Sequence, residues 1–418
     1  MSPSFASALV VGGGVVGRAC ALALQRDGWQ VTLADDDANG GAPSWGNAGH
    51  IATEQVEPLA SLATLRSALR RWHAFGGALD VREPLRRLPW MMRYLRACAP
   101  SRFEAGKTAL RGLLAEALPA WQRLAHSIDA PDLLQGNLLQ EQGHWVCWES
   151  EASARRGLAS WRSADIGTAR FSGLGDAQRA TLQAELSVLL AGGIAFEGTA
   201  QIADLPALAQ RLAGAFAQAG GVQRSLRVQS LRREGRRVHA VADGGERIDA
   251  DLLLVCAGVR SRELVEPLGL RAPLVAERGY HLQWAAHGWP ALPPVVFEDR
   301  SMILTRFAGG LRAASFVEYA GIDTPPDPRK WARLREHVSQ LGIPVRGEPA
   351  SWFGARPTLP DYLPALGRSE RFDNLAYAFG HQHLGLTLAA ISGELLADLC
   401  AGRPGAVAQA PFDLERFA

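Results

Sequence analysis

The chain opens on a continuous apolar run, Ala8-Leu9-Val10-Val11, which breaks at a cluster of glycines. It resumes as VGRACALALQRDG, with apolar residues at helical spacing, and closes at Gly28. A short run apolar at every position reads as a strand buried on both faces, and the spacing after it reads as a helix. Trp29 to Ala34, WQVTLA, reads as the next parallel strand and ends at Asp35. Further on, IADLPALAQRLAGAFAQAGG has helical spacing. LRVQSLRREGRRVHAVADGGERIDA reads as two strands joined at Glu234-Gly235, with a further turn at Gly244-Gly245. Leu252 to Val255 is another apolar strand, ending in Cys256-Ala257-Gly258. Residues 61–189 are largely helical by pattern, whereas GYHLQW, PVVFED, SMILTRF and LRAASFVEY alternate as an antiparallel sheet does. The final periodic stretch, LTLAAISGELLADLCAG, is an apolar helix closing at Gly402.

Composition narrows this picture. With 418 residues, 47% hydrophobic and 21% charged, the chain is globular and long enough for two domains. A net charge of +2 gives no basic field for nucleic acid. Its five cysteines are scattered and form no CxxC pair, which points to a reducing, cytoplasmic setting without a disulfide framework or zinc site. The apolar N-terminal run lacks a basic segment before it, so export is not expected. No run of about 18 apolar residues is found, so no membrane-spanning helix is expected either. Between Arg66 and Arg111 the chain is basic, with Arg70, Arg71, Arg86, Arg87, Arg93, Arg96 and Arg102 interleaved with Trp72 and Trp90. This is either a solvated helical face or a surface for anionic lipid or an electron-acceptor partner, which would hold the protein against the inner face of a membrane.

The glycines after the first strand form Gly12-x-Gly14-x-x-Gly17. Gly12 permits a tight turn, Gly14 lets the backbone approach a pyrophosphate, and Gly17 lets helix and strand pack closely. Asp35 would accept hydrogen bonds from a ribose. Asp36 and Asp37 follow it and would repel a 2′-phosphate, which disfavours NADP but leaves NAD and FAD open. Near the other end, Gly380-His381-Gln382-His383-Leu384-Gly385 opens the last helix, a place where backbone N–H groups and the helix dipole favour negative charge. Cys256 reads as small and buried rather than reactive.

Taken together, VVGGGVVG, SWGNAGHIA, ADLLLVCAG, GLRAASFVEYAG, GARPTLPDYLPALG and FGHQHLGLTLA resemble, in order and over nearly the whole chain, the FAD-dependent D-amino-acid oxidase and dehydrogenase family. That family includes glycine oxidase, sarcosine oxidase and bacterial D-amino-acid dehydrogenases. The resemblance implies an α/β fold: a Rossmann-like, two-dinucleotide-binding FAD domain plus a substrate domain with an antiparallel sheet and helices. Residues 1–60, 190–275 and 350–418 would form the first, and 61–189 and 276–349 the second. It implies cofactor contacts from Gly12, Gly14, Gly17, Asp35, Ala257, Gly258, Gly380, His381 and Gly385. Of His381 and His383, one would face the flavin edge, and His381 is the expected one; neither is expected to hold a metal.

The family's substrate carboxylate is bound by an arginine just before a proline, the position of Arg356. Pro357 biases Arg356 toward extended backbone, and Gly354 would permit an unusual turn. A guanidinium matches a carboxylate with two parallel hydrogen bonds. Tyr280 would add a hydroxyl to the same carboxylate, and His50 would be a substrate contact or a structural hydrogen bond. Gly46 stands where some relatives carry a histidine bonded to the flavin, and SWFGARP lacks the cysteine used by sarcosine oxidase, so FAD is expected to be non-covalent. The implied reaction is oxidation of a free D-amino acid or cyclic imino acid, such as D-proline or cis-4-hydroxy-D-proline, to the imine, with hydride passing to flavin N5. The alternatives are oxidation of an N-substituted amine, or service as the flavin-bearing subunit of a larger complex. The electron acceptor (oxygen, a quinone or a protein) is left open.

Overall fold

The computed structural model describes residues 6–36, 41–68, 72–73, 77–127 and 138–418. Asp37, Arg70 and Arg71 lie outside the described residues. The opening pattern forms as expected: strand Ser7–Val11 (β1), helix Val15–Arg26 (α1) and strand Gln30–Asp35 (β2). β1 sits in a six-stranded sheet in the order Val222–Ser225, β2, β1, Leu252–Val255, Leu375–Phe379, Ala365–Arg368. The pairings are parallel except the last. Helices cover one face and the strands Val228–Glu234 and Arg237–Ala242 lie on the other, which is why its central strands are apolar throughout. The Leu205–Gln218 helix precedes the edge strand as a crossover. Strands Val228–Glu234 and Arg237–Ala242 pair across Gly235, and Arg247–Ile248 completes a small antiparallel sheet.

The second sheet has nine strands and is mainly antiparallel. Its backbone is Ala350–Thr358, Val275–Trp284, Gly310–Ala320 and Met302–Phe307. Two strands join it from segments first assigned to the cofactor unit: Gly192–Glu197 and Ala350–Thr358. Their hydrogen-bond partners, His144–Trp148 and Val275–Trp284, lie in this sheet. Alternation along Val275–Trp284 divides its side chains. Tyr280, Leu282 and Trp284 enter the apolar core beneath the sheet, while Glu277, Gly279 and His281 face the other way.

The segment Gln382–Cys400 is long and apolar enough to span a bilayer by length and composition, with mean hydropathy 1.3, which the search for unbroken apolar runs did not anticipate. Here it is core: 67% of it is buried, and its Gly393 sits where a Cβ would come 2.8 Å from the Ala19 carbonyl of α1.

Candidate active site

Gly12 adopts φ +107°, and a Cβ there would lie 2.6 Å from the Cys256 carbonyl. A Cβ on Gly17 would lie 1.9 Å from the Gly12 carbonyl, so strand, turn and helix close only on glycine. Gly13, a variable place in the motif, faces Asp35 closely: a Cβ there would lie 2.2 Å from the Asp35 carboxylate. Cys256 is buried against this turn, and all five cysteines are free. The Val15 N–H of α1 donates to Ser44 Oγ at 3.0 Å, which ties the 44–49 loop to the helix start.

That loop is clamped from the second sheet. His281 Nδ1 donates to the Gly46 carbonyl at 2.8 Å, and the Arg312 guanidinium to the Asn47 carbonyl. Gly46 has no room for a side chain, since a Cβ would lie 2.3 Å from the Trp352 ring. Burial pushes the His281 imidazole down to about 3 and the Arg312 guanidinium down to about 10.

The two sheets enclose one cavity of about 1350 Å³. Its walls include Gly12, Gly14, Gly17, Asp35, Ala257, Gly258 and Gly385, and also Glu277, Tyr319, Arg356, Tyr362 and His383. Most small-molecule pockets enclose roughly 300–1,000 Å³. A larger space lined by a glycine turn, an acid at a strand end and a second strand-end glycine fits a dinucleotide with a small substrate beside it. Gly258 (φ +56°) and Gly380 (φ +80°) both use backbone that favours glycine.

Arg356 lies directly opposite Glu277 in the antiparallel pair. Its Nη1 donates to Glu277 Oε1 at 3.3 Å and to the Phe316 carbonyl at 3.1 Å, and its side chain stays 27% exposed toward the cavity. The expected turn at Gly354 is replaced by extended strand. Gly354 pairs with Gly279, and the space above Gly279 is taken by Arg356 Nη2. Pro357 is tolerated because Ala350–Thr358 is an edge strand. Asp361 pairs with Arg416 and leaves Arg356 to the cavity.

Glu277 is buried and also accepts from Thr358 Oγ1 at 3.0 Å and Tyr362 Oη at 3.1 Å. Tyr362 in turn shares a hydrogen bond with Tyr319. Trp90 stacks on Tyr94 and tilts against Tyr319, adding an aromatic wall. The sequence reading missed Glu277, Tyr319 and Tyr362. Glu277 was visible as a carboxylate on the opposite phase of alternation from Tyr280, but its partner Tyr362 comes from a loop that no local pattern connects to it.

Three of the expected residues carry other contacts in the structure, and two of them, Tyr280 and His381, still line the cavity. Tyr280 Oη donates to Glu318 Oε2 at 2.6 Å and accepts from Arg278, inside a buried network with Lys330 and Asp327. The phase of its strand turns that hydroxyl away from Arg356. His50 does not line the cavity; its Nε2 lies 3.2 Å from Glu54 Oε1 and its ring is edge-on to His144, which is the structural hydrogen-bond alternative. Burial works to raise the Glu54 carboxyl, but the His50 and His144 imidazoles outweigh it and hold it at about 2. The ligand-type atoms of His50, Glu54 and His144 gather within 4.8 Å, a grouping that spacing along the chain does not reveal. His381 lines the cavity but is tied by Nε2 to Ser392 Oγ at 2.9 Å, so His383 becomes the histidine that faces the Arg356–Glu277 pair. Burial pulls His383 down to about 4.

A parallel sheet with a glycine turn, joined across one long cavity to an antiparallel sheet, defines a two-domain flavoprotein. The chain belongs to the FAD-dependent oxidoreductase family, whose model matches residues 7–399. It is 33% identical over 419 residues to D-amino acid dehydrogenase 2 of Pseudomonas aeruginosa, covering 95% of each chain. It is 30% identical to D-amino-acid oxidase of Bradyrhizobium diazoefficiens, covering 98% of each. Among solved structures, glycine oxidase from Geobacillus kaustophilus has a TM-score of 0.71 at 21% identity, covering 99% of this chain and 98% of that one, a likeness of fold. The protein is an FAD-dependent enzyme of the amino-acid oxidase and dehydrogenase group.

Proposed function

We propose that the enzyme oxidises a free D-amino acid or a cyclic imino acid to the imine, with Arg356 binding the substrate carboxylate. The observation that carries this reading is the partly exposed Arg356 guanidinium in the FAD-type cavity, oriented by Glu277 before substrate arrives. Preference for the D series, and for ring substrates such as D-proline or cis-4-hydroxy-D-proline, is supported by the names of the relatives and by the aromatic wall of Trp90, Tyr94 and Tyr319. FAD bound without a covalent link supplies the two-electron acceptor. Gly12, Gly14 and Gly17 would admit its pyrophosphate, Asp35 its ribose, and the Gly380–Gly385 turn its ring. Burial draws His383 down to about 4, so its neutral ring is available to accept a hydrogen bond from the amine and is a weak base for an ammonium.

Anaerobic mixing with D- and L-amino acids, cyclic imino acids and sarcosine tests the substrate, through bleaching of the flavin absorbance. Arg356→Ala should lower kcat/KM by roughly 30- to 1000-fold, the equivalent of losing about 2–4 kcal/mol of a bidentate charged contact. Its FAD content should be retained. Arg356→Lys should recover only part of the loss, since an ammonium keeps the charge without the fork. Normal kcat/KM in Arg356→Ala, or joint loss of FAD and activity, would remove Arg356 from the substrate site.

A further inference from the structure

Among the described residues, eight large hydrophobic side chains are exposed, and five of them, Leu85, Leu88, Met91, Met92 and Leu95, fall in one short segment. The segment is the turn Pro84–Arg87 and the helix Leu88–Ala97. At about 100° per residue, Leu88, Met91, Met92 and Leu95 share one face of that helix, and Trp90, Tyr94 and Ala97 share the opposite one. The inner face is anchored: it packs with Leu59, Ala60, Leu65 and Tyr362, and Tyr94 Oη donates to the Leu59 carbonyl at 2.8 Å. The helix therefore cannot roll its apolar stripe inward. Leu88, Met92 and Leu95 are 51%, 49% and 53% exposed. A helix lying on a soluble protein in water normally points the other way, with polar residues outward.

Charge accompanies the stripe. From Pro84 to Phe103 there are five arginines (Arg86, Arg87, Arg93, Arg96 and Arg102) and no acidic residue. Arg86, Arg96 and Arg102 are exposed. An outward apolar stripe bordered by arginines is the pattern of a helix that lies in a membrane interface, with its apolar side chains among acyl chains and its cations at the phosphates.

We infer that the Pro84–Ala97 segment docks the enzyme on the surface of an anionic lipid bilayer. Charge decides between occupants. A second copy meeting this face across a two-fold axis would bring the same arginines together, and like charges would oppose the contact. An anionic bilayer satisfies stripe and arginines at once. Met91 and Leu95 also line the large cavity, so docking places the cavity mouth at the bilayer.

The experiment is co-sedimentation of the holoenzyme with vesicles of three parts phosphatidylcholine to one part phosphatidylglycerol, beside pure phosphatidylcholine vesicles. The holoenzyme should partition onto the anionic vesicles, less so as salt is raised. Leu88→Glu/Met92→Glu should lower that partitioning by about tenfold or more while keeping FAD content and turnover with a soluble dye acceptor, since neither residue lines the cavity. Arg96→Glu/Arg102→Glu, a surface change that cannot disturb the core, should remove the preference for anionic vesicles. The inference is overturned if the holoenzyme binds neither vesicle, if it binds both equally, or if these variants bind as the parent does. A concentration-dependent dimer that Leu88→Glu/Met92→Glu abolishes, without vesicle binding, would assign the face to a second copy instead.

Discussion

Arg356 reaches the cavity with its charge already half answered by Glu277, and this residue-scale arrangement separates two kinds of polar group. Arg356 keeps part of its surface open to the cavity, whereas the Tyr280 hydroxyl is taken up by Glu318, Arg278 and the Asp327 N–H. Tyr280→Phe should therefore cost about 1–3 kcal/mol of stability, by leaving buried charged partners short of a hydrogen bond, with kcat/KM little changed. Denaturation midpoints and steady-state kinetics on one preparation check this; a fall in kcat/KM with an unmoved midpoint would return Tyr280 to the substrate site. The histidines make a second residue-scale prediction. Burial holds His144, His281 and His381 down at about 3, against about 6.5 in an unfolded chain. The unfolded state thus takes up protons first as pH falls. The stability these three neutral rings contribute is complete above about pH 6.5 and is lost progressively toward pH 3, at up to about 4 kcal/mol per pH unit for the three. Guanidinium midpoints should fall between pH 7 and pH 5, before carboxylates titrate, and a flat midpoint over that range would contradict their buried, neutral state. Arg356 was legible in the sequence because the proline beside it carries a family pattern. Tyr280 was weighed by its type and not by its phase. Counting by twos from Leu282 and Trp284 puts it in the core.

At the scale of elements, the strand–turn–helix at the start was fully legible, since periodicity, glycine placement and a strand-end acid are all local signals. Asp35 ends β2 over Gly13, so the end of the strand and the turn act as one unit. Asp35→Ala should weaken FAD binding by about 1.5–3 kcal/mol, measured by titrating the apoprotein and following flavin fluorescence. Unchanged affinity would refute the ribose contact. The strand Ala350–Thr358 was less legible. Its glycine and proline look like turn residues, and only the pairing of Gly354 with Gly279 in a distant strand shows why both are tolerated in a sheet. The same holds for Gly192–Glu197, whose apolar pattern suits either sheet and whose partner His144–Trp148 decides the matter. Local pattern fixes what an element is, and long-range pairing fixes where it belongs.

At the scale of the whole molecule, the cavity depends on chain segments that are far apart in sequence. Glu277 and Arg356 face each other from one sheet, while Gly12 and Asp35 come from the other. α1 packs against the Gly385–Cys400 helix, and the Ala52 N–H donates to Thr387 Oγ1, 335 positions along the chain. That closure has a consequence for the order of events during synthesis. At about 5–20 residues per second, a ribosome needs roughly 20–70 s to travel between those two partners. Through most of that interval the face of α1 that packs on the Gly385–Cys400 helix is unmatched. The nascent chain should stay open to proteases and dependent on chaperones until the Gly385–Cys400 helix emerges. Chains stalled just short of residue 385 should be digested rapidly, and full-length released chains should resist. Protection of β1 and α1 in the stalled chains would mean that the cofactor sheet assembles without its closing helix.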